Sequence, residues 1–148
     1  MSARRLKAGD EHLWQLAVET VLGEEGRDGR LVSIPDIARA LADSRCYLLV
    51  ATVGSSPVGL LCAYRFPDVT SGGEIVHLYD IEVLVEQRRR GFGAQLLRSL
   101  VKCCEADKVK LIWAGTDTDN SAARRAFEVT GGELEGSSYA EYEWDLEE

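Results

Sequence analysis

Apolar residues recur along this chain with two different periods, and the change of period marks out its elements. Leu13, Leu16, Ala17, Val21 and Leu22 follow Asp10 at helical spacing, and the pattern stops at Gly23, which predicts a first helix capped at both ends. Ahead of it, Ala3 to Lys7 reads as a short strand. The segment EEGRDGR, residues 24–30, is a polar loop. Ser33 with Asp36 three residues on forms a capping box, Pro35 suits a first turn, and Ile37, Ala38 and Leu41 continue a second helix.

Beyond residue 45 the period falls to that of strands. Cys46 to Val53 and Val58 to Phe66 flank a turn at Gly54 to Pro57, which predicts an antiparallel pair. After the loop PDVTSGG, Glu74 to Val85 reads as a long strand. Its alternation sets Asp80 and Glu82 on one face and His77, Tyr79 and Ile81 on the other, so both sets line one pocket only if a bulge intervenes. A helix follows with Leu96, Leu97, Leu100, Val101 and Cys104 on one side, ending near Asp107. Lys110 to Ala114 is a further strand, and TDTDN, residues 116–120, caps a helix from Ser121 to Val129 closed by Gly131 and Gly132. The tail from Glu133 to Leu146 has room for two last strands, the second from Tyr142 to Leu146. The predicted class is α/β, a single mixed sheet with flanking helices, in one domain spanning residues 1–148. The strand, helix, strand unit over residues 74–114 requires a local parallel pair.

Composition removes several classes of function. The longest apolar run, Tyr47 to Val53, is far short of the roughly 18 to 20 residues that span a bilayer. The first residues, MSARRLKAGDEH, lack the apolar core of a secretory signal, so no membrane role and a cytoplasmic location are expected. A net charge of −8 argues against nucleic acid, whose binders carry basic surfaces. Cys46, Cys62, Cys103 and Cys104 show none of the paired spacings of a zinc site and read as free thiols; no metal is expected. From Glu133 to the end, Glu141, Glu143, Asp145 and their acidic neighbours meet no Lys or Arg. Such a block is either a solvated face or a surface that attracts a cation.

The chemistry concentrates in YDIEVLVEQRRRGFGAQLL, residues 79–97. A strand runs into Arg88, Arg89 and Arg90, then Gly91, Phe92, Gly93 and Ala94, and then a helix. The first turn of a helix presents backbone N–H groups without partners inside the helix, together with partial positive charge. Glycines bring that backbone close to a phosphate and the arginines add cations. A phosphorylated cofactor is expected there. A nucleotide P-loop is excluded because no Gly-Lys-Ser or Gly-Lys-Thr follows, and a dinucleotide site because the G-x-G-x-x-G pattern is missing.

Arg88-x-x-Gly91-x-Gly93, in this order of elements and with Asn120-x-x-Ala123, Phe127 and Gly131 behind it, resembles the GNAT superfamily of acetyl-CoA-dependent N-acetyltransferases. Tyr79 to Val83, the turn at residues 86–97 and Asp117 look more narrowly like the small aminoglycoside 3-N-acetyltransferases of the gentamicin-resistance type. The resemblance implies the GNAT fold with a strand, turn and helix acetyl-CoA site. It implies coenzyme A pyrophosphate on the backbone from Arg88 to Ala94, a pantetheine arm along Ile81, Glu82 and Val83, and further contacts from Asn120 and Phe127. A main-chain N–H near Val83 would then hold the oxyanion.

An amine nucleophile must lose a proton. Asp117 is the first candidate base and His77, with an ordinary pKa near 6.5, the second. The family's usual acid, a tyrosine in the last helix, is replaced by Phe127, so either the thiolate leaves unassisted or Tyr139 or Tyr142 donates. Tyr79, Asp80, Asp117, Glu141 and Glu143 are candidates for holding a small cationic amine, an aminoglycoside first. A peptide or protein amine, or an acyl-CoA-binding module without catalysis, are the alternatives, and homodimerisation is left open.

Overall fold

The computed structural model describes residues 2–23, 30–136 and 140–147. Its elements are β1 (Ser2–Arg5), α1 (Glu11–Leu22), α2 (Ile34–Ala42), β2 (Cys46–Val53), β3 (Ser56–Pro67), β4 (Glu74–Val83), a 3-10 turn at Val85–Gln87, α3 (Phe92–Ala106), β5 (Leu111–Ala114) and α4 (Ser121–Val129). The strands form one sheet in the order β1-β2-β3-β4-β5, antiparallel except for the parallel β4–β5 pair. That parallel pair is the product of the α3 crossover.

Each face of the sheet has its own core. On one side Tyr47, Leu49, Leu61, Val76 and Leu78 pack against Phe92, Leu96 and Leu100 of α3, with α4 lying on α3. On the other, Leu48, Val50, Leu60 and Cys62 meet Trp14, Ala17 and Val18 of α1 and Ile37 of α2. The two clusters follow directly from alternation along β2 and β3. Gly59 is where α3 comes closest to the sheet, since a Cβ there would stand 3.2 Å from both the Leu96 Cδ1 and the Glu82 carbonyl oxygen.

The caps behave as their chemistry dictates, with one exception. The Ser33 hydroxyl accepts from the Asp36 N–H at 3.2 Å, and the Asn120 side chain accepts from the Ala123 N–H at 3.1 Å. Asp10 precedes α1 but does not cap it; its carboxylate accepts instead from the Lys7 N–H and from Arg4. The four thiols are free, with Cys62 and Cys104 buried. Burial pushes the Cys104 thiol up to about 11.

The sequence-based expectation of two closing strands fails. No strand forms among the described residues 132–136 and 140–147, and β5 has β4 as its one partner there. Alternation supplies a strand with a face but not with an edge to pair on, and here the chain end is held elsewhere, by Glu147 on Arg30 at 2.7 Å. The predicted loop over residues 24–30 falls, except for Arg30, outside the described residues.

A polar knot closes the open end of the α3 core. The fully buried Tyr47 donates its hydroxyl to Asp107 at 2.6 Å, and Arg65 donates to the same hydroxyl at 3.0 Å while pairing with Asp107 at 2.9 Å. Asp107→Ala leaves the buried Tyr47 hydroxyl without its acceptor and takes one partner from Arg65, which keeps Glu74 at 3.5 Å, so it is expected to lower the unfolding free energy by about 1–3 kcal/mol. Tyr47→Phe leaves the Arg65–Asp107 pair intact and is expected to cost about 1 kcal/mol. Urea titrations of the two variants check the ranking.

Candidate functional site

The parallel pairing of β4 with β5 runs from Ile75 opposite Leu111 to Leu78 opposite Ala114, where β5 ends; β4 continues to Val83. A cleft of about 130 Å³ opens at that point, lined by Leu78 to Glu82 on one side and by Gly115, Thr116, Asn120, Ala123 and Phe127 on the other. The Leu84 N–H bonds to Val58 of β3 at 2.9 Å. Strand alternation therefore turns the backbone groups of Ile81 and Val83 toward the open edge. An unpaired edge of this kind takes an extended, amide-bearing chain as an added strand.

Past that edge the chain tightens through the 3-10 turn and enters α3 at Gly91, in the left-handed region at φ 84°. Arg89 also has positive φ, 66°. Arg88 folds back to donate to the Val83 carbonyl at 3.2 Å, and Arg90 reaches the Gln87 side chain at 3.4 Å. Phe92 is 3% exposed and belongs to the core, so its backbone alone faces outward. Gly93 sits where α4 crosses α3, its Cβ position 3.8 Å from Ala126.

The one irregularity of β4 decides which side chains share a face. Cys62 stands opposite Asp80 and Ala63 opposite Leu78, leaving Tyr79 as an extra residue in the ladder. Val76 and Leu78 point into the α3 core before this bulge, and Ile81 and Val83 pack against it afterwards. His77, Asp80 and Glu82 consequently share the α1–α2 face, correcting the uninterrupted alternation expected from sequence. The bulge resets the phase by one residue.

On that face lies a second cavity, about 590 Å³, walled by Trp14, Val18, Arg30, Asp36, Leu60 and Asp80 among others. Asp80 borders both cavities, one on each side of the strand edge. Sequence reading missed Trp14 and Asp36: the first was not singled out and the second read as part of a capping box. Asp36 is also paired with Arg39.

The other candidates are scattered. Asp117 is exposed in the loop before α4 and lines neither cavity; its carbonyl accepts from the Asn120 N–H at 3.0 Å. His77 lies against Trp113, ring centroids 4.5 Å apart, away from both cavities. Glu141 and Glu143 are exposed and line neither cavity, Tyr142 is exposed, and Tyr139 lies outside the described residues.

Burial holds the His77 imidazole below its usual value. The unfolded chain therefore binds a proton more readily than the fold does, so stability falls as pH drops through about 6.5 and flattens below the folded value. The melting temperature is expected to fall more between pH 7.5 and 5.5 for the parent than for His77→Gln, as scanning calorimetry of both would show.

No helix among the described residues is long and apolar enough to cross a membrane. The sequence profile of the acetyltransferase (GNAT) family matches residues 11–131. No curated protein sequence matches the chain. Among solved structures, the chain is similar to the aminoglycoside acetyltransferase meta-AAC0020 from an uncultured soil metagenomic sample, in complex with sisomicin: TM-score 0.84, 18% identity, 99% of this chain and 96% of that one covered. It is also similar to the aminoglycoside acetyltransferase HMB0005 from an uncultured soil metagenomic sample (TM-score 0.80, 20% identity, 97% and 98% covered). A third neighbour is the ribosomal-protein-alanine N-acetyltransferase of Brucella melitensis biovar Abortus 2308 (TM-score 0.69, 18% identity, 96% and 99% covered). At these identities the likeness is one of fold.

Proposed function

Because the chain belongs to the GNAT acetyltransferase family, we propose that it acts as one domain over residues 1–148 to acetylate an amine of a small polycationic substrate, an aminoglycoside, at the 3-amino group. The observation that carries the reading is the meeting of two cavities at Asp80, one along the open edge of β4 and one carrying carboxylates. GNAT enzymes generally use acetyl-CoA, and the open edge of β4 with the helix start behind it fits that cofactor. Ile81 and Val83 would pair with the pantetheine amides, residues 88–94 would hold the pyrophosphate, and Asn120 and Phe127 would close the far wall.

When bound, acetyl-CoA supplies the thioester carbonyl that the amine attacks. Asp80 would accept the proton that the ammonium must lose, since its carboxylate is on the amine's side of the strand and the residue borders both cavities. The Val83 N–H, on the open edge, would be placed to stabilise the carbonyl oxygen as it gains charge. Asp36 and Trp14 hold further cationic groups of the substrate, by charge and over the indole face. Asp117 and His77 are left with supporting roles. Phe127 offers no acid in the smaller cleft, which Tyr79 also lines; a thiolate that departs unassisted would need none. A thiol of pKa about 8.5 is a competent leaving group.

Thiol release from acetyl-CoA tests the reading, with gentamicin, kanamycin, spermidine and a peptide beginning with alanine as acceptors. Turnover is expected with the aminoglycosides. Release with the peptide alone would transfer the assignment to a protein N-terminus, the chemistry named for the Brucella neighbour. CoA binding without release across the panel would make the chain an acyl-CoA-binding module.

A further inference from the structure

The larger cavity is not built for polycations alone. Trp14, Val18 and Leu22 stand four residues apart on α1 and rise along one wall of it. Leu31 and Val32, just ahead of α2, and Leu60 of β3 add to the same apolar lining. All six belong to the core between the sheet and the two helices, with Trp14 and Val18 8% exposed and Leu60 0%. The apolar surface is therefore fixed in place by packing.

Charge is scarce by comparison. Among the described residues that line the cavity, the carboxylates are Asp36 and Asp80, and Arg30 adds a cation. Asp36 already pairs with Arg39, and Arg30 with Glu147 at 2.7 Å. A body dense in hydroxyl and ammonium groups would give up water along the apolar wall without finding partners there. An apolar body would bury its own surface against that wall. One ammonium is matched, at Asp80, where the cavity meets the cleft along β4.

Resting on the acetyl-transfer reading, we infer that the same site acetylates a second class of acceptor, primary amines joined by a short alkyl arm to an aromatic ring. The ammonium of such an arylalkylamine sits at Asp80 and its ring lies against the Trp14 indole and the aliphatic side chains beside it. A volume of about 590 Å³ is in the range of pockets that enclose a small organic ligand, and a mostly apolar lining with a few placed polar groups is their usual chemistry. The amine nitrogen bonds to the acetyl carbon as the carbon–sulfur bond breaks. Of the two protons that the ammonium sheds, Asp80 takes one and passes it to water, and the departing thiolate takes the other.

Thiol release from acetyl-CoA with 2-phenylethylamine and with ethanolamine, in which a hydroxyl replaces the ring, measures what the apolar wall contributes. The parent's kcat/KM is expected to be about 10- to 100-fold higher for 2-phenylethylamine, the worth of burying one phenyl ring. Leu22→Gln sets an amide into the wall at the half-buried end of α1 and is expected to cut that ratio about tenfold. Leu22→Met, which keeps the volume and the apolar character, is expected to hold it within about threefold. The ratio reports on the wall and not on the amount of folded enzyme. Equal kcat/KM for the two amines overturns the inference, as does a ratio that Leu22→Gln leaves unchanged. Aminoglycoside turnover beside either result leaves the polycation reading standing. Turnover of 2-phenylethylamine with no aminoglycoside accepted upholds the inference and removes that reading, and no thiol release with any amine removes both.

Discussion

Asp80→Asn is expected to lower kcat/KM for the amine by about 10²- to 10⁴-fold, while the Kd for coenzyme A stays within a factor of about two. The reasoning is positional. The bulge at Tyr79 turns the Asp80 side chain to the α1–α2 face, and Asp80 borders both the larger cavity and the β4–β5 cleft. Asparagine keeps the size and hydrogen-bonding reach of the side chain and removes its ability to take a proton. The loss therefore falls on the step that neutralises the ammonium and not on the cofactor's backbone contacts. Asp117→Asn supplies the control, with an expected loss of less than about tenfold, since Asp117 lines neither cavity. A larger loss at Asp117 than at Asp80 would move the base to the loop before α4. Stopped-flow thiol release and calorimetric titration with coenzyme A separate the two effects.

Most of the fold was legible because its elements are local. Cys46 to Val53 is a near-continuous apolar run bounded by turn residues, and it forms a strand over those same residues. The stripe of α3 and the caps at Ser33 and Asn120 depend on neighbours within four positions. The site was legible in its cofactor half for the same reason, since strand, glycine turn and helix are contiguous in the chain. What escaped was non-local. A bulge is defined by the partner strand, so Tyr79 looked like any other alternating residue until Cys62 and Ala63 fixed the register. Phe92 stood between two glycines as a backbone cofactor contact, and nothing local showed that its side chain anchors the first turn of α3 in the core. Trp14 and Asp36 lie more than forty residues before Asp80 and meet it only through tertiary packing. The tail shows the converse: its alternation reads as strand-forming, yet no strand forms over the described residues 140–147, because pairing is a property of two strands.

Gly91→Val is expected to weaken coenzyme A binding by at least about 30-fold, or roughly 2 kcal/mol, and Gly91→Asn by much less. Gly91 stands at φ 84° as the residue before α3, a region that a β-branched residue enters only with strain and that asparagine tolerates best among non-glycine residues. A Cβ built there meets no protein atom within 4 Å, so neither substitution collides with the fold. What valine changes is the backbone itself: relief of the strain rotates the peptide groups that lead into the first turn, and the N–H groups of Phe92, Gly93 and Ala94 lose their common direction. Anion binding at a helix start depends on that convergence more than on any one side chain. Arginines 88 and 90 lean on Val83 and Gln87 here and would still be free to reach a phosphate in either variant, which isolates the backbone term. Binding of coenzyme A to the valine variant with the parent's Kd would show that the arginines, and not the turn, hold the pyrophosphate. Equal losses for valine and asparagine would mean that any side chain there fills space the phosphates need.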